Sequence, residues 1–158
     1  MSKTEAIRAK LGDEWLPSIY IQKVRTQRTR SYTLEVPSRE NAAEINYTLL
    51  GIELQVGKRR FACPDLATAR YLRVFARLGC GEIAIPYDIT RISSISDELE
   101  TSWQKMLLLI EAAADGLSRT ASTRQRSSLL RSIRDEITSV GAGPAVPDFD
   151  RETRRRPA

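Results

Sequence analysis

Arg70, Arg73 and Arg77 are spaced i, i+3 and i+7, the interval that lines one side of a helix with like side chains. A row of planar guanidinium groups suits oxyanions, phosphates above all. Lys58, Arg59 and Arg60 add to this group from just upstream, and Lys23, Arg25, Arg28 and Arg30 form a second basic cluster. A third runs through Arg119, Arg124, Arg126, Arg131 and Arg134 and is echoed by Arg154, Arg155 and Arg156. One expectation is therefore a nucleic-acid or other anion-binding face made by Arg25, Arg28, Arg30, Arg59, Arg60, Arg70, Arg73 and Arg77. The competing expectation is solvated surface, because arginine stems cover apolar area without any ligand. The aromatic complement favours the second view. Tyr20, Tyr32, Tyr47, Tyr71 and Tyr87 are scattered rather than gathered into a base-stacking platform. No helix-turn-helix, zinc-finger or RNA-recognition signature accompanies the arginines.

Residues that do catalysis are sparse. Histidine is absent, which removes the commonest general base and the commonest metal ligand together. Cys63 and Cys80 lack a Cys-x-x-Cys spacing and read as free thiols packed like small apolar side chains, as expected in a reducing compartment. Gly79-Cys80-Gly81 has the outline of a phosphate loop. It follows a helix and precedes a strand, however, which is the reverse of the order such loops require. Tyr87, Asp88, Arg91 and Glu82, near a predicted strand end, are the only nominees for a polar site. Asp88 is better suited to a turn or cap. The chain is expected to have no catalytic residues, no metal and no cofactor.

The elements that would position these groups can be read from periodicity. Residues 3–11 predict a short helix closed by Gly12. Ile19 and Ile21 alternate with Tyr20 and Gln22, predicting a strand over 18–25 that pairs with another over 31–36. Pro17 is read as the stop that precedes it. Residues 44–50 begin a further strand, and 52–56 with 59–63 form a hairpin around Gly57-Lys58, a turn with glycine first. Asp65 caps a helix over 65–78 that Gly79 ends, and 82–86 return as a short strand whose Pro86 marks an edge or exit. Ser94 or Ser96 is expected to cap a long helix over 96–115, and a last helix follows over 122–140.

Strands and helices are segregated more than alternated, so the expected class is α+β: a mostly antiparallel sheet of four to six strands with two or three helices packed on one face. The expected division is a single domain over 1–140 and a disordered basic tail over 141–158, where Gly and Pro break all periodicity. No apolar run approaches the roughly 18 residues a membrane helix needs, and the N-terminus lacks an apolar signal core. A cytoplasmic protein without a membrane span is expected. The long helix carries the leading functional expectation. Leu99, Trp103, Met106 and Ile110 follow one face while Leu107, Leu108 and Leu109 carry apolar surface further round. Trp103, Leu107 and Leu108 thus mark a surface for a protein partner or a second copy. The reading is a non-enzymatic interaction protein, an assembly factor or adaptor, that self-associates. Nucleic-acid binding is the alternative.

Overall fold

The computed structural model describes residues 2–143. The expected basic tail lies outside the described residues from 144 onward. α1 spans Lys3–Leu11 and begins with a reciprocal cap, in which Ser2 accepts from the Glu5 N–H and Glu5 accepts from the Ser2 N–H. A 3-10 turn over Gly12–Glu14 leads into α2, Leu16–Ile19, which runs on as a π turn over Tyr20–Val24. The strand expected over 18–25 is therefore a helix, and its hairpin with 31–36 does not form. The reason lies in which side chains are buried. Leu16, Ile19, Tyr20 and Val24 are inside, at i, i+3, i+4 and i+8, while Ile21 is 41% exposed. Helical spacing thus outcompetes the two-residue alternation of Ile19 and Ile21. Pro17 opens this helix, where its missing N–H is no loss, instead of ending one.

The strands are β1 (Thr29–Thr33), β2 (Ala43–Thr48), β3 (Gly51–Val56), β4 (Arg59–Cys63) and β5 (Glu82–Pro86). All pairing is antiparallel, and the fold is α+β as expected. The strands divide into two sheets, however, of order β1-β5 and β2-β3-β4, instead of joining in one curved sheet. The hairpin of β3 and β4 around Gly57-Lys58 forms as read, with Gly57 at φ 60° in the position that favours glycine.

The division has a local cause at β5. Leu34 and Tyr87 donate across the β1–β5 ladder to Gly81 and Arg28, so the hydrogen-bonded pairs fall on even residues of β1. The N–H and C=O of Ala84 consequently face away from β1, where a third strand would bind. Two tyrosines take that place. The Ala84 N–H donates to the Tyr20 hydroxyl at 2.9 Å, and the Tyr71 hydroxyl donates to the Ala84 carbonyl at 2.5 Å. The Tyr20 hydroxyl in turn donates to the Gly141 carbonyl at 2.8 Å, tying the chain after the last helix to the core. Pro86 sits at an outward-facing position of the same edge, where it withholds no ladder bond.

Three long helices complete the fold: α3 (Leu66–Leu78), α4 (Ile89–Ala113) and α5 (Arg119–Val140). Asp65 caps α3 through the Thr68 N–H, as expected. Gly79 closes it at φ 82°, where a Cβ would lie 2.2 Å from the Arg39 carbonyl oxygen, so no other residue fits. α4 begins seven residues before the expected start. Asp88 caps it by accepting from the Thr90 and Arg91 N–H groups, whereas Ser96 is buried and donates to the carbonyls of Ile92 and Ala67. α5 starts at Arg119 under a Ser118 cap. α3 is the centre of the molecule, packed between the β2-β3-β4 sheet and α4, and also touching α5. Among the described residues no helix is long and apolar enough to cross a membrane.

Candidate interaction surface

The arginine stripe of α3 is formed as read, but α4 brings acids to it. Arg70 Nη2 lies 2.5 Å from Asp97 and 2.5 Å from Glu100, and its Nε also reaches both Glu100 oxygens at 3.2 Å. Arg73 Nη2 meets the same Glu100 at 2.9 Å. Glu100 and both arginine side chains are only about a quarter exposed. Burial works to raise the Glu100 pKa, but the two arginines outweigh it and hold the carboxyl below its ordinary value. The bonds from Glu100 and Asp97 likewise push Arg70 above the usual arginine range. Arg70 and Arg73 therefore form an internal seam between α3 and α4. The third member, Arg77, has no carboxylate within ion-pair distance among the described residues. Burial first, and repulsion from Arg73 second, lower its pKa.

The remaining basic candidates do not join this seam. From β4, Arg59 pairs with Glu35 in the segment after β1 at 2.7 Å, and Arg60 pairs with Glu53 on β3 at 3.4 Å. Arg25, at the end of the π turn, donates to Thr29 Oγ1 and to the Gly143 carbonyl at 2.6 Å. Arg28 and Arg30 are exposed and have no carboxylate partner among the described residues. On α5, Arg126 grips Glu40 through two bonds of 2.7 and 2.5 Å. Arg134 donates to the carbonyls of Leu78 and Ser38, satisfying the end of α3.

The polar nominees near β5 are likewise engaged locally. Asp88 is the α4 cap, with Arg91 at 3.9 Å, and Glu82 accepts from the Ser31 hydroxyl at 2.6 Å. Cys63 and Cys80 are both free and buried, and burial pushes the Cys80 thiol up to about 12. That environment keeps it protonated and unreactive.

The apolar candidates separate. Trp103 is 4% exposed and belongs to the core of its own chain, and Leu107 is half-buried against that core. Leu108 is 66% exposed. The long helix is thus covered by α1, α2, α3 and β5 more completely than its sequence implies, and Leu108 is what remains open of the expected face.

A different element presents the most exposed apolar side chains. Leu49 and Leu50 form the two-residue turn between β2 and β3, with relative exposures of 107% and 101%, and Tyr47 beside them is 72% exposed. They were hidden in the sequence inside an expected strand over 44–50. The signal that could have exposed them is positional. Two leucines directly before Gly51 fall at a hairpin turn, where Asn, Asp or Gly is the rule. Near the other end of β2 is an open cleft of about 480 Å³ lined by Glu40, Asn41, Ala42, Arg77, Trp103, Gln104, Leu107 and Arg126.

In comparison with known proteins, the chain matches no family model, no curated protein and no solved structure.

Proposed function

We propose that this chain is a non-enzymatic protein-interaction domain, of the assembly-factor or adaptor type, that self-associates. The observation that carries the reading is the β2–β3 turn, where Leu49 and Leu50 project fully into solvent beside Tyr47. Single exposed apolar residues are ordinary, but two leucines and a tyrosine at the tip of one hairpin are a surface waiting for cover. The polar chemistry is consistent with this. The carboxylates and guanidiniums that meet in the seam neutralise each other, and the two thiols are buried. The role first assigned to Trp103, Leu107 and Leu108 passes to the hairpin tip, with Leu107 as a neighbour of the cleft.

Sedimentation velocity tests the reading. The expected result is a reversible shift to a larger species as the concentration rises through tens of micromolar, lost when Leu49→Asp and Leu50→Asp are combined. A strict monomer across that range overturns it.

A second reading, nucleic-acid binding, is favoured by Arg28 and Arg30, which stay exposed without acidic partners among the described residues, on a short stretch that also holds Lys23. It calls for affinity that falls steeply with salt and drops in the variant combining Arg28→Glu and Arg30→Glu. Arg70 and Arg73 contribute little to it, because Glu100 already occupies them.

A further inference from the structure

We infer that a second copy of this chain pairs along the free edge of β2, antiparallel and centred on Ile45, and lays its Leu49–Leu50 turn over the cleft beside Trp103 and Leu107. The inference rests on the self-association proposed above and specifies its geometry.

The edge is defined by the ladder. β2 and β3 close at Thr48↔Gly51 around a two-residue turn, so Thr48, Asn46 and Glu44 occupy the hydrogen-bonded positions facing β3. The N–H and C=O groups of Ala43, Ile45 and Tyr47 then point off the outer edge, and none has a backbone partner among the described residues. The edges of β4 and β5 are guarded. Arg59 and Arg60 flank β4, and the tyrosine hydroxyls close β5. β2 has no proline, lysine or arginine and carries one charge, Glu44. An unguarded edge of this kind templates another strand.

A two-fold axis through Ile45 makes the edge self-complementary. Ile45 meets Ile45 of the second copy, and the large, exposed Tyr47 falls opposite the small, buried Ala43. On the polar face Glu44 falls opposite Asn46, so no like charges are opposed. Other registers lose one or more of these matches, and a one-residue slip would turn each apolar face toward a polar one. Carried past the strand end, the same register sets Leu49 and Leu50 opposite Asn41 and Glu40. Those two residues line the 480 Å³ cleft that Trp103 and Leu107 also line. The most protruding apolar side chains thus arrive at a cleft of mixed lining, where Ala42 and Leu107 offer apolar surface among polar groups, twice over by symmetry, giving a closed pair and not an open chain.

The test places charge at the axis and beside it. Ile45→Lys and Ile45→Glu set like charges against themselves, so each variant alone is expected to sediment as a monomer and their mixture to recover the dimer. Because Ile45 and Asn46 are both half-buried, circular dichroism melts confirm folding, and Asn46 supplies a second arm on the polar face. Asn46→Lys, opposite Glu44, should tighten the dimer, and Asn46→Glu should weaken it, each by between about twofold and thirtyfold in Kd. A wild-type dimer indifferent to all four variants overturns this geometry while leaving self-association standing. A wild-type monomer, including one whose Leu49–Leu50 turn instead binds phosphatidylcholine vesicles, overturns both.

Discussion

The seam between α3 and α4 and the free edge of β2 are opposite solutions to surface chemistry. The seam is built from the residues that look most reactive in the sequence, and the fold uses them on itself. Arg70, Arg73, Asp97 and Glu100 meet within hydrogen-bond distance and leave little charge for a ligand. The edge is built from residues that look ordinary, and the fold leaves them without cover: Tyr47, Leu49 and Leu50 stand in solvent beside backbone groups that have no backbone partner among the described residues. Side-chain type is therefore a poor guide to availability. What matters is whether the chain's own elements already supply the partner.

The comparison can be broken first at α4, which supplies the acids of the seam. Trp103→Ala should cost about 3–5 kcal/mol in a urea melt, because the ring fills the core of its own chain. Leu108→Ser, five residues along, should change stability by no more than about 0.5 kcal/mol. Equal costs would mean that the helix is covered differently from the description above.

The seam itself is sharpened by Glu100. Glu100→Ala should cost about 2 kcal/mol, since it strands the partly buried Arg73 and leaves Arg70 only the more exposed Asp97. The pH dependence has a definite sign. Glu100 is held below its ordinary pKa, so its stabilisation is complete above about 4.3, the unfolded value, and is lost as the pH falls through the lower folded value. Urea midpoints measured on the acid side should fall more steeply for the wild type than for Glu100→Gln.

The smallest effect on folding is expected at the edge. The double variant Leu49→Asp with Leu50→Asp should melt within about 0.5 kcal/mol of the wild type, because those side chains lose no contact within the chain. Its association, measured in the same sample by sedimentation, should vanish. A variant that unfolds would place the turn in the core and remove the contrast.

Much of the architecture was legible in the residues. The β3–β4 hairpin, the Asp65 cap, the Gly79 stop and the helix over Lys3–Leu11 all rest on local rules of turn, cap and spacing, and local rules need no distant partner. Reading failed where two local patterns competed. Residues 16–24 satisfy both an alternating and a helical pattern, and the choice fell to the helical one because the core accepts Leu16, Ile19, Tyr20 and Val24 together. The start of α4 was missed for a related reason. Ser94 and Ser96 are good caps in isolation, but the capping is done by Asp88. The candidate surface was the least legible part, because the turn leucines read as a continuation of their strand.

Sequence alone settled the class of the fold, the supply of charge and the shortage of reactive groups, since these follow from composition and from interactions a few residues apart. Only the packed chain settled which arginines meet acids, which leucines lose their cover and where one sheet stops and another begins. Each of those outcomes depends on groups far apart in the chain: Arg70 on Glu100, Ala84 on Tyr20, Glu40 on Arg126. Such pairings are set by the geometry of the whole core, because burial is decided there and a short window of sequence contains only one of the two partners.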